Sequence, residues 1–97
     1  MYGTVARMKI KPGSEAKLTA DMNQYDDLKI PGFVSSMVYR MDDDPNVVYL
    51  AVVFKDKASY HANANDPKQD ERFKKMRASL QADPEWHDGE IIASQMS

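Results

Sequence analysis

Apolar residues recur along this chain with two periods, and the switches between them mark out its elements. From Tyr2 to Lys11 they alternate around β-branched types, and Pro12-Gly13 closes the run, which predicts a first strand. Ser14 then stands where an N-cap belongs, with Glu15 in the first helical turn. Leu18, Met22, Tyr25 and Leu28 follow at helical spacing, predicting a helix of about 14 residues stopped by Pro31-Gly32. Period two returns from Phe33 to Met41. Phe33, Ser35, Met37, Tyr39 and Met41 fall on one side, and Val34, Ser36, Val38 and Arg40 on the other. The polar run Asp42 to Asn46 closes a hairpin into Val47 to Phe54, a strand with no polar face.

Asp56 is placed to cap a short helix through about Asn65, with Ala58, His61 and Ala64 on one stripe directed at the sheet. Asp66-Pro67 restarts the helix, with Gln69 completing a capping-box pattern, and Phe73, Met76 and Leu80 form its apolar face. Pro84 ends that segment. Trp86-His87-Asp88-Gly89 reads as a connection into a last strand, Glu90 to Gln95.

The order β-α-β-β-α-β, with its second helical region split, predicts an α+β fold of the ferredoxin-like type. Four antiparallel strands with helices on one face leave the other face bare, and here that face is apolar. A strand apolar on both sides must be covered on both sides. A second copy meeting it through the same face is the simplest cover, so a homodimer is expected, burying roughly 800 Å² per partner.

Composition narrows the classes. The 97 residues fit one domain, and 42% hydrophobic with 29% charged residues argues for a packed core over disorder. A net charge of −2, without a basic cluster, argues against nucleic acid as a partner. With no cysteine, disulfides, thiolate metal sites and a cysteine nucleophile are excluded. The chain shows no signal-peptide pattern and no apolar run of membrane length, so a cytoplasmic protein without membrane association is expected.

The sequence resembles the antibiotic biosynthesis monooxygenase domain family, within the dimeric α+β barrel superfamily. The likeness is carried by Pro31-Gly32-Phe33, by Phe54-Lys55-Asp56 at the end of the third strand, and by Ala58-Ser59-Tyr60-His61-Ala62. The Phe73 to Leu80 helix and Trp86-His87-Asp88-Gly89 extend it over nearly the whole chain. The resemblance implies the fold and the dimer more sharply than a reaction. Some members oxidise aromatic polyketides with dioxygen and no cofactor; others degrade haem or act on quinols or small signalling molecules. Against the haem-degrading pattern, Ala6 or a neighbour replaces the first-strand asparagine and Asn63 lies near the tryptophan position. No histidine occurs from Asp66 to Leu80. The cofactor-free branch is closer in layout, although its helical tryptophan is missing too.

Within this frame the usable space lies between sheet and helices. His61, on the short helix, suits a general base near neutral pH; the plainer reading is a histidine hydrogen-bonded to structure. Arg7 and Arg40 suit an anionic or enolate oxygen, or else edge salt bridges. Tyr39 and Tyr49, on adjacent strands, suit ring stacking on a substrate or cross-strand packing at the dimer face. Tyr25, Tyr60, Asn63 and Trp86 complete the candidate binding set; the plainer reading of Trp86 is a lid packed over the helix ends. Asp42-Asp43-Asp44 lacks the far glutamate of a calcium loop and reads as a solvated turn, so no metal site is expected. The seven methionines read as adaptable core filler.

Two functions follow. The first is a cofactor-independent monooxygenase acting on a small aromatic or quinone-like molecule. The second is a non-catalytic dimer that binds a ligand or protein, with an isomerase or decarboxylase as a more distant option. An open cavity holding His61 and an arginine favours the first; one filled by Met8, Met22 and Tyr25 favours the second.

Overall fold

In a computed structural model the described residues are 1–23 and 29–95. They form β1 (Tyr2–Lys9), α1 (Glu15–Asn23), β2 (Phe33–Arg40), β3 (Val47–Phe54), α2 (Lys57–Ala64), α3 (Pro67–Arg77) and β4 (Glu85–Glu90). The strands make one antiparallel sheet in the order β2-β3-β1-β4. This is the ferredoxin-like α+β arrangement with a divided second helical region.

The core is built from one side of the sheet. Ala6, Met8 and Ile10 along β1, and Val48 and Leu50 along β3, are buried against Leu18 and Met22 of α1, Met76 of α3 and Leu80. The register sets Ala6 opposite Leu50 and Met8 opposite Val48, so the two central strands supply one continuous apolar layer. Ile10 bridges to Leu80, and the Lys11 and Gln81 N–H groups donate to the Ser79 and Lys9 carbonyls at 2.8 Å each. These bonds tie the end of β1 to the segment after α3.

The helix starts follow the capping residues. The Asp56 carboxylate accepts from the Ser59 N–H at 2.7 Å, and Asp66 accepts from the Lys68 N–H at 2.9 Å with Pro67 in the first turn. The expected capping box takes a different form: the Asp66 N–H donates to the Asn63 carbonyl, and the Gln69 oxygen accepts from Arg72. In the hairpin, Asp44 organises the turn by accepting from the Asn46 N–H at 2.9 Å. The part of the expected first helix that includes Tyr25 and Leu28 lies outside the described residues.

Two expectations are corrected. The last strand is Glu85–Glu90, so Trp86 to Gly89 is strand and not connection, and 91–95 lies beyond the sheet. Six exposed residues, five of them ionisable or glycine, carry no period-two apolar signal; β4 is an edge strand specified by its pairing to β1. In β2 an irregularity between Phe33 and Ser35 breaks the alternation. Phe33 therefore shares the helix-covered side with Ser36, Val38 and Arg40, while Ser35, Met37 and Tyr39 lie on the other.

That other side carries Val5, Met37 and Tyr39 at 48, 50 and 49% exposure, beside half-buried Tyr49, Ala51 and Val53. An apolar surface of this composition on one sheet face exceeds the scattered exposure ordinary for a surface.

Candidate functional site

The site begins with the placement of α2. Gly32 adopts φ 79° on entering β2, a conformation that favours glycine. A Cβ there would stand 2.5 Å from the Ser59 side chain. The bare backbone lets the first turn of α2 sit against it, and the Gly32 carbonyl accepts from the Lys55 N–H at 2.8 Å. Asp56 then starts the helix, its carboxyl held below the usual carboxylate range mainly by the hydrogen bond from the Ser59 backbone N–H.

So positioned, α2 sets Tyr60 edge-on against Tyr2 and Phe54, with centroids 5.2 and 5.7 Å apart. Phe33 continues the row, edge-on to Phe54 at 5.8 Å, and Phe73 of α3 meets Trp86 of β4 at 6.0 Å. All of these rings but Tyr2, with Leu50, Val52, Met22 and Met76, wall a cavity of about 420 Å³ between sheet and helices. That lies within the ~300–1,000 Å³ of small-molecule sites.

Polar groups gather at one end. The Tyr60 hydroxyl donates to Asp88 Oδ1 at 2.8 Å, joining α2 to the edge strand. Burial pushes the Tyr60 phenol up to about 12, Asp88 adds to the shift, and the nearby Thr4 hydroxyl opposes it. Thr4 faces Asp88 directly across the β1–β4 pairing, and its Oγ1 is buried without a hydrogen-bond partner among the described residues. Elsewhere on the wall, Arg72 donates to Gln69 Oε1 at 3.0 Å and to Asn63 Oδ1 at 3.3 Å, fixing both amides. A guanidinium can only donate, so each amide turns its oxygen towards it.

Of the sequence candidates, His61, Asn63, Tyr60 and Trp86 line this cavity. His61 is exposed at its mouth and not turned against the sheet, its ring tilted on Tyr2 at 5.9 Å and edge-on to Tyr60 at 5.5 Å. The helix is rotated from the expected phase because Tyr60, the large ring, takes the inward position; Ala58 is exposed and outside the lining. Arg7, Tyr39 and Tyr49 lie on the opposite side of the sheet, in register with one another across β1, β3 and β2. Arg40 is paired with Glu15 of α1 at 2.6 Å and does not line the cavity. Tyr25 lies outside the described residues. Thr4 and Asp88 are additions that sequence reasoning missed. Had Trp86-His87-Asp88 been read as strand, alternation would have set Trp86 and Asp88 on one face.

The sequence model of the antibiotic biosynthesis monooxygenase family matches residues 1–78. The chain belongs to that family. No curated protein matches it. Among solved structures, it is similar to a candidate antibiotic biosynthesis monooxygenase from Chloroflexus aurantiacus J-10-fl. The two share 22% identity over 98% of this chain and 96% of that one, with TM-score 0.79. An alanine-for-asparagine mutant of SnoaB, a cofactor-independent oxygenase from Streptomyces nogalater, is 18% identical over 96% and 94%, with TM-score 0.81. A conserved protein from Methanosarcina mazei Go1 is 19% identical over 91% and 89%, with TM-score 0.78. At these identities the structural likeness establishes the shared fold.

Proposed function

We propose that this family member is a cofactor-independent oxygenase for a small aromatic or quinone-like molecule held between sheet and helices. The observation that carries the reading is the aromatic-walled cavity of about 420 Å³ with a histidine at its mouth. Its support in kind comes from family membership and from the likeness to a cofactor-independent oxygenase.

The chemistry asks for a substrate with an acidic C–H or O–H. His61 takes that proton as general base, leaving an electron-rich carbanion or enolate that reacts with dioxygen. For an activated methylene the balance is CH₂ plus O₂ giving C=O plus H₂O, the substrate carbon being oxidised and dioxygen reduced. The proton held by His61 returns to the departing oxygen. Amide donors at Asn63 suit the developing oxyanion, and the apolar walls limit water. Neither Arg7 nor Arg40 enters this scheme.

The bare sheet face fits a second copy of the chain, because a two-fold contact through Val5, Met37 and Tyr39 covers the same surface on both partners. We take the protein to act as that homodimer, in the cytoplasm.

Oxygen uptake with anthrones, quinols and small aromatic acids, without added metal or flavin, tests the oxygenase reading. Uptake that His61→Ala abolishes is the expected result; undiminished uptake in the variant removes His61 from the role. Binding without uptake across the panel would replace the oxygenase with a ligand-binding module.

A further inference from the structure

The polar end of the cavity has more acceptors than donors. Asp88 is a carboxylate, and among the described residues only the Tyr60 hydroxyl is seen to donate to it, on one of its two oxygens. Opposite it in the strand pairing, Thr4 is 5% exposed, and its hydroxyl, near the Tyr60 phenol, makes no well-formed hydrogen bond among the described residues. An unpaired buried hydroxyl is costly, and a carboxylate beside it can accept further hydrogen bonds but donate none. Residues directly opposite on one face of an antiparallel pair stand with Cβ atoms ~4.5–5.5 Å apart, close enough for one ligand oxygen to meet both side chains. Aromatic rings flank the spot, with Tyr60 and Phe54 on one side and Trp86, two residues from Asp88, on the other.

The geometry points to Thr4 and Asp88 as a hydroxyl-binding subsite, which takes the O–H of a hydroxylated aromatic ligand lying in the cavity. The ligand hydroxyl donates to the Asp88 carboxylate, and its oxygen accepts from the Thr4 hydroxyl. Tyr60, protonated throughout the neutral range, steadies Asp88 and leaves its second oxygen to the ligand. The subsite completes the hydrogen bonding of Thr4, which no described residue does. It narrows the substrate class from aromatic to hydroxyaromatic. This inference rests on the cavity as a small-molecule site, and it needs no oxygen chemistry.

Titration calorimetry of the full chain at pH 7 under argon, with 1-naphthol and 1-methylnaphthalene, tests it. The two probes share shape and differ by hydroxyl against methyl. A site built around a hydroxyl rejects the analogue lacking it, and with Asp88 partly open to water the preference for naphthol should be about ten-fold. Thr4→Val keeps the side-chain shape and should cut that preference to about two-fold or less by loss of the donor. Asp88→Ala should do the same, with Asp88→Asn intermediate, while methylnaphthalene affinity stays constant and reports an intact cavity. Equal binding of the two probes by the wild type, a preference unmoved by both Thr4→Val and Asp88→Ala, or no binding of naphthol would each overturn the subsite. Oxygen-uptake assays then separate the two ideas. Discrimination without uptake leaves the subsite standing and the oxygenase reading refuted, and uptake without discrimination does the reverse.

Discussion

The Tyr60 hydroxyl reaches Asp88 at 2.8 Å across 28 residues of sequence, and that bond joins a helix to the sheet's outermost strand. It is formed by the same residue whose ring packs on Tyr2 and Phe54, so one side chain sets both the apolar wall and the polar end of the cavity. Helix α2 is short and none of its residues is fully buried. Its position therefore depends on such individual contacts more than on a large packed face.

The raised phenol gives a pH dependence with a definite sign. Tyr60 holds its proton up to about 12 in the folded chain, against 10.0 for an ordinary tyrosine. The unfolded state thus releases the proton first. The stabilising contribution is complete below pH 10 and is lost as pH rises through the window from about 10 to 12. Phenolate absorbance of the wild type minus that of Tyr60→Phe should show a titration near the upper value. A difference spectrum titrating at the ordinary value would contradict the burial of this group.

Thr4→Val should stabilise the free protein. The substitution removes, at nearly constant volume, a hydroxyl with no hydrogen-bond partner among the described residues, and such an orphan costs ~1–3 kcal/mol when buried. A melting temperature raised by a few degrees, with Thr4→Ser unchanged or lower, is the expected calorimetric outcome. A large destabilisation by valine would mean that the hydroxyl is bonded in the folded chain.

Gly32→Ala should be severe. It combines a left-handed backbone, costing ~1–3 kcal/mol for a side-chain-bearing residue, with a Cβ only 2.5 Å from Ser59. Denaturant unfolding should show a loss of ~2–4 kcal/mol, partly recovered in Gly32→Ala with Ser59→Gly. An alanine variant as stable as the wild type would show that α2 does not need this close approach.

Val5→Glu places a carboxylate on a central strand of the exposed sheet face, and Met37→Glu places one on its β2 edge. Light scattering after gel filtration should give a dimer for the wild type and monomers for both variants, with the fold retained by circular dichroism. A monomeric wild type would leave that face to some other cover.

What the chain disclosed in advance depended on how strongly burial is written into each segment. The run Val47 to Phe54 identified a central strand because Val48, Leu50 and Phe54 meet the helices while its other side is apolar too. Asp66-Pro67 marked the start of α3 through local chemistry that needs no tertiary context. The edge strand β4 was hidden because an exposed strand can be polar throughout; only its pairing with β1 defines it. In α2, small and polar residues leave the rotation about the helix axis unspecified by hydrophobicity, and Tyr60 fixes it through long-range ring contacts. The candidate site suffered accordingly. Tyr60, Asn63, Trp86 and His61 were within reach of local reasoning, whereas Thr4 and Asp88 become neighbours only once two distant strands are paired.

The irregularity between Phe33 and Ser35 works like a shift of reading frame in β2. Upstream of it, Phe33 is delivered to the ligand chamber; downstream, Met37 and Tyr39 go to the far surface and Ser36 returns to the chamber. Were β2 to pair regularly with Val34 kept in line, the strand could keep only one of these assignments. Either Phe33 leaves the chamber, or Met37 and Tyr39 change places with Ser36 and Val38 and the far surface loses its apolar character. The one residue absorbed at Val34 thus reconciles the furnishing of the chamber with the outward character of the sheet.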